Sequence, residues 1–230
     1  MSDSDMHQEA ADLLASIPYF AQVDAQTLSA IAGSATRRSY TADQVVLLEG
    51  EPSSGLFVVQ EGWLKSVKTS PEGREQVLRV VGPGDVFNAI GALASPTNPG
   101  TVITLEPATV WILQRENLLR LLEEHTGLAW MVIQALAERV QQLMSQVEDL
   151  SLRSVEARLA RLILEEATGE SFIRQRWDTQ AEMAARLGTV LDVLNRALRR
   201  LAADGIIKVE RHRILILDQE QLAAIADLDT

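Results

Sequence analysis

From about Tyr40 to Leu113 the chain carries short apolar runs with strand-like alternation. Val45-Val46-Leu47-Leu48, Leu56-Phe57-Val58-Val59 and Val77-Leu78-Arg79-Val80-Val81 are the clearest strand cores. Glycines punctuate this stretch, and Gly50, Gly62, Gly73 and Gly84 fall 12, 11 and 11 residues apart. Short strands closed by Gly turns at that interval predict an antiparallel sandwich or barrel. Ser70-Pro71-Glu72-Gly73 has Pro and Gly where a hairpin turn wants them. Upstream, residues 9–33 read as helical, with a break at Ile17-Pro18.

Between Glu116 and Leu152 the period changes. Ile133, Leu136, Val140, Leu143, Val147 and Leu150 are spaced 3, 4, 3, 4 and 3 apart. That a/d seam predicts a helix that pairs with a partner helix. The alternative is a helix lying on its own domain's core, with Val132 and Met144 widening the stripe. Ser154 is placed to cap a following helix that carries Val155, Leu159, Leu162, Ile163 and Leu164 and is ended by Gly169. Thr179-Gln180-Ala181-Glu182 forms a capping box, Met183, Ala184 and Leu187 supply an apolar face, and Gly188 supplies a left-handed stop. Thr189-Val190-Leu191-Asp192 reads as a second cap. Leu194, Ala197, Leu198 and Leu201 follow as a buried stripe, and Asp204-Gly205 is the stop. Two short helices joined through Gly, the second bearing Asn195, Arg196, Arg199 and Arg200, make a helix-turn-helix. Ile206 to Val209 and Ile214 to Leu217 then read as a hairpin with Arg211, His212 and Arg213 at its tip, a basic wing.

Charge sharpens this picture. The net charge of −11 over 230 residues argues against a uniformly nucleic-acid-binding surface. Yet residues 170–217 hold nine Lys and Arg against six Asp and Glu, whereas residues 1–153 hold ten against nineteen. Contact with a polyanion is therefore expected at one place only. Arg196, Arg199, Arg211 and Arg213 supply donors for phosphate, and the second helix is suited to the major groove. The absence of cysteine excludes disulfides, thiolate catalysis and Cys-held metal centres. No nucleophile–base pair, metal cluster or phosphate-cradling loop stands out, so no enzymatic activity, metal or cofactor is expected. The acidic start MSDSDMHQEA is unlike a secretory signal, and the longest apolar stretch, Leu128 to Ala137, is too short to span a bilayer. A cytoplasmic protein without a membrane partner is the expectation.

The order of Gly-spaced β-roll, seam helix and winged helix-turn-helix resembles the CRP/FNR superfamily of bacterial transcription regulators. The resemblance covers almost the whole chain. It is carried by Leu47-Leu48-Glu49-Gly50-Glu51, Leu56-Phe57-Val58-Val59-Gln60-Glu61-Gly62, Gly84-Asp85-Val86-Phe87, and Thr179 with Glu182-Met183-Ala184 through Arg196 to Gly205-Ile206-Ile207. It implies an α+β chain in three parts: a double-stranded β-helix (jelly-roll) sensor domain over 1–126, a dimerisation helix over 127–153 and a winged helix-turn-helix over 154–230. It further implies a homodimer on palindromic double-stranded DNA, with RNA polymerase as a partner.

Departures from the family pattern bear on the effector. Where cyclic-nucleotide binders carry a Gly-Glu pair and, ten positions beyond that Glu, an Arg with a small residue after it, this chain has Asn88-Ala89 and then Pro99-Gly100-Thr101. The hydroxyl pair that reads adenine matches Leu143-Met144. The resemblance thus implies a pocket lined by Asn88, Ala89, Ile90, Pro99, Gly100, Thr101, Leu143 and Met144, mostly apolar. A buried phosphate without its cation loses about 2–5 kcal/mol. Cyclic AMP is therefore not the expected effector. Either the roll takes a different, less charged ligand, or side chains fill it and the protein acts without a ligand, which is the preferred alternative. The iron–sulfur type of sensor is excluded for want of cysteine. A haem would need His7, in an expected tail, His212 on the wing, or His125, expected as a solvated residue near a helix end. Trp63, Trp111, Trp130 and Trp177 read as core or interface anchors, Trp130 being placed for an interdomain contact.

The recognition helix departs too. The family commonly begins it with an Arg-Glu pair and places an Arg four residues later; here these positions hold Leu191, Asp192 and Arg196. Asp192 accepts from a cytosine amino group, Arg196 is the expected guanine reader, and Leu191 can touch a thymine methyl. A half-site differing from the family's usual one at that base pair follows. Thr179, Asn195, Arg199 and Arg213 are phosphate candidates, and Val190 also lies at the DNA-facing start. A second class of function stays open: a small-molecule sensor whose C-terminal domain binds a protein partner, favoured by the acidic total charge and by Val190 and Leu191. If an effector exists, it acts through unequal affinity for two arrangements about a hinge near Leu152–Ser154.

Overall fold

A computed structural model describes residues 3–17, 20, 23–73, 75–95 and 97–227. Helices α1 (Asp3–Ser16) and α2 (Ala25–Ser34) come first. Pro18, half of the expected helix break, lies outside the described residues. Eight strands follow: β1 (Ala35–Tyr40), β2 (Val45–Leu47), β3 (Gly55–Glu61), β4 (Leu64–Thr69), β5 (Glu75–Val81), β6 (Val86–Phe87), β7 (Thr101–Thr104) and β8 (Ala108–Gln114), with the short α3 (Ala89–Leu93) between β6 and β7. They form two four-stranded sheets ordered β1-β8-β3-β6 and β2-β7-β4-β5. The sheets face one another across a core of Leu47, Phe57, Val59, Leu64, Val81, Phe87, Val102, Val110 and Ile112. Phe57 and Phe87 stack inside it with ring centroids 4.9 Å apart.

The runs Leu56-Phe57-Val58-Val59 and Val110-Trp111-Ile112-Leu113 are apolar without alternation because both faces of their sheet are covered. Phe57, Val59, Val110 and Ile112 point into the roll. Leu56, Val58, Trp111 and Leu113 point outward into a second core with Ala10 and Leu14 of α1, Ile17 just after it, Ile31 and Ala32 of α2, and residues of α4 (Arg115–Glu124) and α5 (Thr126–Leu152). The expected glycine turns form: Gly50, Gly62, Gly73 and Gly84 have φ of 81°, 82°, 82° and 86°. At Gly62 nothing larger fits, since a Cβ would stand 2.4 Å from the Pro107 carbonyl oxygen. Gly73 N donates to Ser70 O at 2.9 Å, closing the predicted hairpin.

Two histidines differ from expectation. His7 is not in a tail; it sits on α1, and its Nε2 is 3.1 Å from Ser29 Oγ on α2. His125 caps α4 and is half-buried, its Nδ1 2.8 Å from Oγ1 of the fully buried Thr27. Thr27 in turn donates to Asp24 Oδ2 at 2.6 Å, and Asp24 caps α2. Among the tryptophans, Trp111 is buried and donates to Gln60 Oε1 at 2.9 Å, whereas Trp130 is 58% exposed on α5.

The chain divides into two compact units, Met1–Lys68 with Leu78–Val140, and Thr69–Val77 with Gln141–Thr230. In the second, α6 (Val155–Glu166) precedes β9 (Ser171–Ile173), α7 (Gln180–Arg186), α8 (Leu191–Ala203), the hairpin β10 (Ile207–Val209) and β11 (Arg213–Ile216), and α9 (Gln219–Asp227). Leu159, Ile163, Phe172, Met183, Leu194, Leu198, Leu201, Ile207, Ile214 and Leu222 share one core. Ser154 caps α6 as expected, its Oγ accepting from Ala157 N at 3.1 Å. Gly169 does not end that helix; Ala167 does, in extended backbone, and Gly169 lies in the next turn.

Candidate nucleic-acid interface

The helix-turn-helix is built by local chemistry. Thr179 Oγ1 accepts from Glu182 N at 3.2 Å and starts α7, which is half of the expected capping box. Gly188, at φ 64°, makes the turn. The expected Thr189 cap on α8 is a correction. Val190 is the cap residue, has extended backbone, and makes no side-chain cap bond. Its carbonyl already receives Val193 N and Leu194 N, so the helix begins one residue later than the T-x-x-D pattern suggests.

On α8, Leu194, Ala197, Leu198 and Leu201 are buried, and this stripe fixes which face remains free. Val190 and Leu191 are 49% and 44% exposed at its start. Asp192, Arg196 and Arg199 are exposed, and Asn195 is half-buried. Among the described residues no hydrogen bond or ion pair holds the side chains of Asp192, Asn195, Arg196 or Arg199. Arg200 differs: its Nη1 lies 3.1 Å from Glu156 Oε1 at the start of α6. A cleft of about 540 Å³ opens there, with Val155, Val193 and Arg196 on its walls.

The wing is a tight turn, with Glu210 N donating to Arg213 O at 2.8 Å. Arg211 and His212 occupy its tip, and Arg174 Nη2 donates to the Arg211 carbonyl. Arg213, expected as a phosphate donor, is engaged within the chain: its Nε lies 2.8 Å from Glu210 Oε2. Lys208 Nζ lies 2.9 Å from Glu210 Oε1. The Arg213 and Lys208 hydrogen bonds hold the Glu210 carboxyl below its ordinary range. Sequence reasoning missed Glu210, because its role depends on strand register.

The expected pocket residues divide. Asn88, Ala89, Ile90, Pro99, Gly100 and Thr101 belong to the first unit, whereas Leu143 and Met144 belong to the second, 36% and 67% exposed on α5. Asn88 adopts left-handed backbone (φ 64°), and its Nδ2 donates to Gly55 O at 2.9 Å and Ser53 Oγ at 3.1 Å. Nearby, the buried Asn98 donates to Leu48 O at 3.1 Å. Ser53 and Asn98 were not foreseen, and the stretch expected to be mostly apolar is tied together by amides. Ile90 and Pro99 are exposed, while Gly100 is buried with room for a Cβ only 3.2 Å from Val67 O. The seam residues Ile133, Val140, Val147 and Leu150 are 55%, 55%, 64% and 47% exposed, and Leu136 is half-buried against the first unit's core.

A β-roll of the nucleotide-binding type followed by a winged helix-turn-helix defines a DNA-binding transcription regulator with a sensor-like domain. Residues 37–125 match the Cyclic nucleotide-binding domain family and residues 157–225 the Crp-like helix-turn-helix domain, and the chain belongs to the CRP/FNR family of transcription regulators. It is 26% identical over 218 residues to the CRP-like cAMP-activated global transcriptional regulator of Mycobacterium tuberculosis, covering 92% of this chain and 97% of that one. It is 25% identical over 194 residues to the Cyclic AMP receptor protein of Thermus thermophilus, covering 83% and 88%. Its fold is similar to that of FixK2 from Bradyrhizobium japonicum, with a TM-score of 0.73 at 22% identity over 83% of this chain and 96% of that one.

Proposed function

We propose that the chain works as a homodimer on a palindromic duplex site and that cyclic AMP does not control it. In this reading 1–126 is the sensor domain, 127–153 the dimerisation helix and 154–230 the DNA-binding domain, with RNA polymerase as the downstream partner. The observation that carries it is the apolar stripe of α5, whose Ile133, Val140, Leu143, Val147 and Leu150 face solvent in the single chain. An a/d stripe of that spacing is covered by a second copy of itself in register. Arg196 reads guanine, Asp192 a cytosine amino group and Leu191 a thymine methyl; Thr179, Asn195, Arg199 and Arg213 face phosphates, beside Val190.

Two features support independence from cyclic AMP. Pro99 stands where a phosphate-binding cation is needed, and the Asn88 amide is already spent on Ser53 and Gly55. The effector is then absent or an unidentified, less charged molecule. The test is duplex selection and calorimetry on the purified chain. The expected result is a selected palindrome bound without any added small molecule, and no cyclic AMP heat at micromolar concentration. Micromolar cyclic AMP binding that switches on DNA affinity would overturn the proposal.

A further inference from the structure

We propose that Glu210 is a built-in competitor of DNA phosphate on the wing, clasping Lys208 and Arg213 in the free protein and releasing them only to a duplex. The proposal rests on the wing lying against the DNA backbone. It starts from register. Lys208 pairs with Leu215 and Val209 with Ile214, so Glu210 stands across from Arg213 at the mouth of the hairpin. Lys208 and Glu210 are two residues apart on one strand line and therefore share a face. The outcome is a fork in which each carboxylate oxygen takes one cation, Oε1 the Lys208 ammonium at 2.9 Å and Oε2 the Arg213 guanidinium at 2.8 Å.

A carboxylate in a surface that meets phosphate is otherwise unfavourable, since like charges brought together oppose binding. The fork converts that charge into a tuning element. Both cations remain about half or more exposed, 62% and 51%, so a phosphate can reach them. Exposed ion pairs are weak, so the exchange of partner is feasible. A cation already paired within the protein adds less net charge to the DNA footprint, and fewer condensed counterions leave the duplex when it binds. Arg211, at the turn, has no carboxylate partner among the described residues and is the cation that engages without exchange. The wing thus carries one ready cation and two held in reserve.

The experiment follows binding of the full chain to a random-sequence duplex by fluorescence anisotropy across a salt series. Wild type is compared with Glu210→Gln, Arg213→Gln and the double variant. Glu210→Gln is expected to bind about 3–10-fold tighter at moderate salt, with the log K against log salt slope steeper by about 1. Arg213→Gln is expected to weaken binding by itself, since a duplex draws the guanidinium away from Glu210, and to weaken it by a larger factor in the Glu210→Gln background, where the guanidinium is free. A merely structural Glu210 would shift the melting temperature and leave the salt slope alone. Glu210→Gln binding no tighter than wild type, with an unchanged slope, overturns the proposal while leaving the DNA-binding reading intact. A wild-type chain without salt-dependent duplex binding overturns both.

Discussion

Asp178 sits immediately before the cap of α7, 4% exposed, with Oδ1 3.5 Å from Arg186 Nη1. Burial pushes its carboxyl above the ordinary range; Arg186 and Arg174 oppose that shift, and Glu166 adds to it. Because the folded state holds the proton more tightly than the unfolded chain, the ionised form costs stability at neutral pH. That cost is relieved as pH falls through the folded value. Replacing Asp178 by Asn is expected to improve the stability of the DNA-binding unit relative to wild type at pH 7, with a smaller advantage near pH 5. Urea melts at the two pH values check the difference; an equal offset at both would count against a raised Asp178 carboxyl. Single residues were readable in the sequence where their partners are near in the chain. Ser154 and Thr179 each bond an amide three residues on. The ties from Asn88 to Ser53 and from Thr27 to His125 span 35 and 98 positions, and no local pattern announces them.

At the level of elements, periodicity gave the strands and the long helix, because burial alternates or recurs with the geometry of each. It failed at boundaries. β1 begins at Ala35, where Thr36-Arg37-Arg38-Ser39 shows no apolar alternation; its pairing with β8 makes the strand. α9 was not foreseen, although Leu222 and Ala226 bury it against the core. The start of α8 is the most instructive case, since two Thr-led caps look alike in sequence and only one forms. Val190 leaves the first turn without a side-chain acceptor. Val190→Ser is therefore expected to add about 0.5–2 kcal/mol of stability, as N-cap serines do. Thermal melting of the full chain measures it, and an unchanged or lowered transition would mean that the bare cap is not what limits this helix.

Across the whole molecule, α5 belongs to both units: Thr126–Val140 falls in the first and Gln141–Leu152 in the second. One flank of its early turns, Leu128, Met131 and Val132, is buried in the β-roll's helical cover, and the a/d flank is exposed apart from the half-buried Leu136. Of the two residues expected to widen the stripe, Val132 lies on the buried flank and Met144 is 67% exposed. Val147→Asp, at a position 64% exposed, leaves the single-chain core untouched. It is expected to give a folded monomer in sedimentation and a loss of about 10²–10⁴-fold in affinity for a two-half-site duplex, since only one reading head then engages. A dimeric Val147→Asp chain would place the contact elsewhere. The shared helix also limits how such proteins can be recombined. A splice between the sensor of one relative and the reading head of another has to fall within this rod and keep its phase. One inserted residue turns everything downstream by about 100° about the axis, whereas seven nearly restore the original bearing.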